Sequence, residues 1–143
     1  MQLEYTETEL PKIAKKICKQ LLPGDFLALK GELAAGKTTL TREVARVFGY
    51  SGTVNSPTYV LEHRYKINSK KIKEIIHIDL YRLSEGEVSD LDWSEYRNRK
   101  DIITIIEWPE IAKKELPPNT KEILIEIIDA KKRRITLSEN FSA

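Results

Sequence analysis

Eight residues of this chain, Gly31-Glu32-Leu33-Ala34-Ala35-Gly36-Lys37-Thr38, fit the pattern G-x-x-x-x-G-K-[ST]. Such a loop suits phosphate. Its backbone N–H groups and the positive end of the helix that follows both attract an anion. Gly31 and Gly36 allow backbone angles and a close phosphate approach that a side chain would hinder. Lys37 can reach the β- and γ-phosphates of a nucleotide, and the Thr38 hydroxyl can ligate Mg²⁺. The pattern predicts a bound nucleoside triphosphate.

Two carboxylates complete the chemistry. Glu107 closes the run Ile102-Ile103-Thr104-Ile105-Ile106, the shape of a Walker B strand whose terminal acid works on Mg²⁺ or on the attacking water. Asp79 ends a second run, Ile75-Ile76-His77-Ile78-Asp79. Phosphoryl transfer needs positive charge at the developing oxyanions, and carboxylates hold the metal that supplies it. Residue type and spacing leave open which acid stands at the metal and which orients the water.

Other residues have two readings. Ser56-Pro57-Thr58-Tyr59 lies after the phosphate-loop helix, where a loop hydroxyl can sense the γ-phosphate and metal; a plain turn is the alternative. Trp108 either lines the nucleotide site or packs in the core. His77 shares a strand face with Asp79 but reads as a structural residue. The basic run Lys131-Lys132-Arg133-Arg134 is a charged hairpin turn or a contact with a nucleotide or an RNA backbone. No aromatic residues interleave it to stack bases.

The elements that must position these groups follow from hydrophobic periodicity. Phe26-Leu27-Ala28-Leu29, introduced by Pro23-Gly24, reads as the buried strand feeding the phosphate loop. Leu40, Val44, Val47 and Phe48 mark one face of the helix after it, which Gly49 stops. Leu3 and Tyr5 suggest a short first strand. A helix then carries Leu10, Ile13, Ala14, Ile17, Cys18 and Leu21 on one stripe, with Thr8 as its cap and Pro11 in its first turn. Cys18 is a core residue on this reading. Residues 58–67 and 72–80 form an antiparallel hairpin around Asn68-Ser69-Lys70-Lys71. Residues 84–96 are acidic and weakly helical, with Ser84 and Glu87 as a capping box. Ile102 to Ile106 is a central buried strand, Pro109 starts a short helix, and residues 122–128 and 133–137 are two further strands. The sum is a three-layer α/β fold with a mixed, mainly parallel central sheet. Ligands of such sheets sit outside the carboxyl ends of the strands.

Composition sets bounds. At 143 residues the chain is expected to form a single domain. Its 24 basic and 22 acidic residues nearly cancel, so net charge makes no case for nucleic-acid binding. The single cysteine excludes an intrachain disulfide. No apolar run approaches the roughly 18 residues of a membrane span, and no secretory pattern is present. The expected location is the cytoplasm, away from any membrane.

Together these motifs resemble the TsaE family (also called YjeE), small bacterial ATPases of tRNA threonylcarbamoyladenosine synthesis. The matching segments are Gly31 to Thr39, Asn55-Ser56-Pro57-Thr58-Tyr59, His77-Ile78-Asp79-Leu80-Tyr81-Arg82 and Ile106-Glu107-Trp108-Pro109. Their order and spacing match from about Thr8 to Leu137. The resemblance implies a P-loop NTPase-like domain over residues 1–143 that binds ATP and Mg²⁺ and hydrolyses ATP slowly, chiefly when docked on a TsaD–TsaB complex. That complex transfers a threonylcarbamoyl group to adenosine 37 of tRNAs reading codons that begin with A, and hydrolysis resets it between turnovers. On this view contact with tRNA is indirect, and direct contact is left open. By motif, Gly31, Ala34, Ala35, Gly36, Lys37, Thr38 and Thr39 hold the nucleotide, and Thr58 belongs to a switch-like segment. Arg134 lies near the base. Thr38, Asp79 and Glu107 form the metal site, with Lys37, Asp79 and Glu107 the catalytic groups.

Two residues depart from the family pattern. Ala34 stands where a third glycine is usual, and alanine strains the loop if that position needs positive φ. Asp92 replaces a glycine usual after the acidic helix. The alternative function is a small-molecule or nucleotide kinase, for which Arg97 and Arg99 are the only lid candidates between Ser84 and Asp101. A nucleotide-dependent binding module with negligible hydrolysis is a third reading, close to the first.

Overall fold

The two runs that precede the phosphate loop and Glu107 pair with each other at the middle of the molecule. In the computed structural model, which describes residues 1–52 and 62–141, β2 (Phe26–Gly31) lies parallel to β5 (Ile102–Glu107). Outside them, also parallel, run β6 (Lys121–Ile127) against β2 and β4 (Glu74–Asp79) against β5. Antiparallel strands extend this core: β3 (Glu62–Lys66) on β4, β7 (Lys132–Leu137) on β6, and β1 (Gln2–Thr6) on β7. The order is β1-β7-β6-β2-β5-β4-β3. The expected mixed sheet with a parallel centre is therefore present, as is the β3–β4 hairpin. Residues 53–61, which include Ser56 and Thr58, lie outside the described residues.

β5 is buried throughout, and apolar but for Thr104 and Glu107, because both of its faces are covered. Ile103 and Ile105 face α1 (Leu10–Cys18) and α2 (Lys37–Val47), while Ile102 and Ile106 join Trp93, Tyr96 and Val88 on the opposite face. That second layer consists of α3 (Glu85–Ser89), α4 (Trp93–Asn98) and a 3₁₀ turn, Pro109–Ala112. Among the described residues no helix is long and apolar enough to cross a membrane.

Local chemistry moves some boundaries from those expected. Thr6, not Thr8, occupies the first capping position. Glu9 Oε1 accepts both the Thr6 N–H and the Thr6 hydroxyl at 2.9 Å, and Glu7–Glu9 forms a 3₁₀ turn before α1. The reason is the third residue onward: after Thr6 it is Glu9, which can reach back, and after Thr8 it is Pro11, which offers neither a carboxylate nor an N–H. On α2 the buried face is Leu40, Thr41, Val44 and Ala45, and Val47 is exposed. The acidic segment splits into two helices. Ser84 and Glu87 cap α3 as expected, and Asp92 caps α4 by accepting the Glu95 N–H at 3.2 Å. Asp92 has φ −82°, so its glycine-like position needs no left-handed residue.

At the end of the sheet away from the phosphate loop, Asp25 and Lys121 form a buried ion pair, Nζ to Oδ2 2.6 Å. Asp25 also accepts the Leu22 N–H at 2.8 Å. The pair ties the entry of β2 to the entry of β6. Asp25→Ala leaves a buried ammonium without its partner and is expected to lower unfolding free energy by about 3 kcal/mol, read from urea denaturation; a change below about 1 kcal/mol would mean that the pair behaves as an exposed one.

Candidate functional site

β2 ends at Gly31, register partner of Ile125 on β6. A Cβ at Gly31 would lie 2.6 Å from the Ile125 carbonyl oxygen, and φ is +150°, so glycine alone lets the chain leave the sheet this close to β6. The loop turns with the Ala35 N–H on Glu32 O at 3.1 Å and the Ala35 methyl buried in the core. Ala34 has φ +65°. It adopts the left-handed conformation that a glycine would take freely and that costs alanine about 1 kcal/mol. Gly36, at φ +111°, is the residue from which α2 starts. Among the described residues no side chain caps this helix, so its first N–H groups are available to an anion.

Lys37, the first residue of α2, is buried. Its ammonium donates to Gly31 O (2.5 Å) and Glu32 O (3.2 Å) and lies 3.7 Å from the centroid of the Trp108 ring. Burial pushes its pKa below the usual lysine range, against the pull of Glu107, Asp79 and Glu110. Trp108 reaches this position because its backbone is itself left-handed, φ +59°, immediately after β5. The indole also meets the Tyr81 ring at 4.8 Å. Trp108 thus lines the site.

The parallel register sets Glu107 beside Leu29 on one side and Asp79 on the other. Thr38 Oγ1 donates to Glu107 Oε2 at 3.0 Å, and His77 Nε2 lies 2.5 Å from the same oxygen. Asp79 Oδ1 accepts the Tyr81 N–H at 3.0 Å. Residues Ala34 to Thr39, Asp79, Tyr81, Glu107 and Trp108 line one cavity of about 300 Å³. Phosphate loop, lysine, threonine and both acids therefore meet in one place. A second cavity of about 580 Å³ continues from Ala34, Ala35, Gly36 and Thr39 to Tyr5, Thr8, Lys131 and Arg133.

Arg134 is not in this group. It pairs with Glu4 at 3.0 Å on the sheet face away from α1 and α2. Arg133 faces the loop instead, Nε to Ala35 O 3.2 Å. The strand alternation explains the exchange: Arg133 shares its face with buried Ile135 and Leu137. Thr58 lies outside the described residues. His77 is the residue that sequence reasoning set aside, although its spacing from Asp79 already put the two on one face.

A family model described as Threonylcarbamoyl adenosine biosynthesis protein TsaE matches residues 5–135. The chain belongs to the TsaE family. The TsaE protein of Rickettsia felis is 38% identical, covering 99% of this chain and 81% of the relative. That of Bacillus subtilis is 34% identical over 91% and 79%. The crystal structure of Bacillus subtilis YdiB superposes with a TM-score of 0.74 at 28% identity, covering 96% of this chain and 84% of that one. The three-layer sheet is accordingly the P-loop NTPase-like fold of the TsaE family, and tRNA threonylcarbamoyladenosine biosynthesis is the process to which the chain belongs.

Two outcomes test this TsaE-family loop. Gly31→Ala should cost about 1–3 kcal/mol in denaturant unfolding and weaken nucleotide binding in calorimetry; wild-type behaviour in both would contradict the Ile125 contact. Lys37→Met should leave the melting temperature of the unliganded protein unchanged or higher, because burial outweighs the nearby acids in setting the lysine's protonation. Nucleotide is expected to raise the melting temperature of the wild type and to leave that of this variant unchanged. A large drop without nucleotide would show that the charge stabilises the empty site.

Proposed function

We propose that this protein is an ATPase acting, with TsaD- and TsaB-type partners, in formation of the threonylcarbamoyl group on adenosine 37 of tRNAs reading codons that begin with A. It works in the cytoplasm, hydrolyses ATP weakly alone and faster on its partners, and contacts tRNA only through them. The observation that carries the reading is the 3.0 Å hydrogen bond from Thr38 Oγ1 to Glu107 Oε2 at the N-terminus of α2. It joins the loop hydroxyl to the strand-end acid, which is the pairing a phosphate-bound metal requires.

The backbone N–H groups from Ala34 to Thr39 receive the phosphates, with Gly31 and Gly36 shaping the loop and Lys37 meeting the β- and γ-phosphates. Arg133, rather than Arg134, stands beside the cavity open to the nucleoside, and Thr58 supplies the switch-like hydroxyl. The donor set of Thr38, Glu107 and Asp79 is all oxygen and fits Mg²⁺. Among the described residues no three His, Cys, Asp or Glu side chains gather into a metal cage, which suits an ion completed by phosphate oxygens and water. When bound, Mg²⁺ neutralises phosphate charge. Thr38 and Glu107 would hold the metal directly, and Asp79, at its outer side, would orient the water whose oxygen attacks the γ-phosphorus. The bond from the γ-phosphorus to the β–γ bridging oxygen breaks, giving ADP, phosphate and a proton that passes to solvent, and Lys37 stabilises the charge that develops.

The kinase alternative finds no lid in these arginines. Arg99 binds Glu74 and Asp101 at the opposite end of β4 and β5, and Arg97 binds Glu115. Phosphate release measured with and without purified TsaD and TsaB is expected to rise with the partners. Glu107→Ala should lower it by about 10²-fold or more with ATP binding retained, and Lys37→Ala should weaken binding itself. Transfer of phosphate to a small acceptor without partners, or equal loss of binding in both variants, would sink this assignment.

A further inference from the structure

We propose that His77 is a positioning residue for the nucleotide site, acting through Glu107 and not on the nucleotide. The inference rests on the ATPase reading above. The imidazole is fully buried on β4, and its Nε2 lies 2.5 Å from Glu107 Oε2. On its far side the Tyr65 hydroxyl of β3 lies 3.4 Å from Nδ1. An ionised carboxylate only accepts, so the tautomer that fits both neighbours carries its proton on Nε2, with Nδ1 facing the tyrosine O–H.

Thr38 Oγ1 donates to the same Oε2 from α2. Two donors from two elements therefore converge on one oxygen of Glu107, and among the described residues no side chain donates to Oε1. One of these two donors, His77, reaches the carboxylate from outside the nucleotide cavity, on the β3–β4 hairpin. A packing role alone does not account for the arrangement. The next position on this face of β4, Ile75, fills its share of the core with hydrocarbon. An imidazole buried beside a carboxylate is a costly filler unless their hydrogen bond serves a purpose.

The test uses the full chain and three variants. His77→Leu keeps bulk and removes the donor, His77→Gln returns an N–H near the place of Nε2, and Tyr65→Phe removes the hydroxyl behind the ring. His77→Leu is expected to lower turnover about 10–100-fold and to weaken Mn²⁺ binding to the ADP-loaded protein by a similar factor. Affinity for ADP without metal stays at the wild-type value. His77→Gln restores most of both losses, and Tyr65→Phe gives a smaller loss in the same two quantities. Ring ¹⁵N spectra of the wild type show the proton on Nε2. Equal damage in His77→Leu and His77→Gln, tracking their melting temperatures, would reduce His77 to packing and overturn the proposal. An Nδ1–H tautomer in the wild type would overturn it also. Two controls separate the levels: if the wild type releases no phosphate from ATP even with its partners, the ATPase reading itself fails, and if Glu107→Gln hydrolyses ATP at the wild-type rate, the role of Glu107 on which the positioning rests fails. If it is inactive while His77→Leu is normal, the positioning role alone fails.

Discussion

Leu29, Glu107 and Asp79 stand abreast on three parallel strands, and the site depends on that register. A slip of one residue in either pairing would turn an acid to the other face of the sheet. The constraint is enforced by hydrocarbon. Ile103 and Ile105 fit under α1 and α2, and Ile102 and Ile106 fit under α3 and α4, so β5 has no alternative alignment that keeps both layers dry. Because β2 is parallel to β5, the loop after β2 and the acid ending β5 emerge on the same side. The carboxyl ends of parallel strands are where such folds leave room for ligands.

Charge is distributed unevenly over this frame. Away from the site several charged groups are closely paired: Arg64 meets Glu62 and Glu95, Arg99 meets Glu74 and Asp101, and Lys121 meets Asp25. At the site the arrangement is less settled. A buried ammonium rests on two carbonyls and an indole face, a helix starts without a side-chain cap among the described residues, and both Ala34 and Trp108 hold left-handed backbones. Local rules are broken where a polyanion would mend them.

Much of this was legible in the residues. The phosphate-loop pattern, the apolar run before Glu107 and the alternation around Asp79 each report a short-range constraint, so the strands, the loop and α2 follow directly. The same is true of Cys18 in the core and Ser84 at the head of α3. What escaped depends on distance in space. Nothing in one strand says that His77 will find Glu107, thirty residues on, because that contact is made by the β4–β5 pairing. The motif points to Arg134 by its position in the chain, whereas the pleat decides which of two neighbours faces the loop, and that neighbour is Arg133. The left-handed backbone at Ala34 was written into the departure from the glycine pattern, but its neighbour in strain, Trp108, carries no turn residue to announce it.

The lone thiol has a consequence of its own. Cys18 sits where α1 packs on α2, with Sγ 3.8 Å from the Val44 carbonyl, and burial pushes its pKa up to about 12. Protonated and shielded, it is inert towards alkylating reagents at neutral pH. A reagent meets it only in the moments when α1 parts from α2, and α2 is the helix that begins at the phosphate loop. The rate of alkylation is thus a built-in clock for breathing of that helix pair, and any ligand that tightens the loop slows the clock.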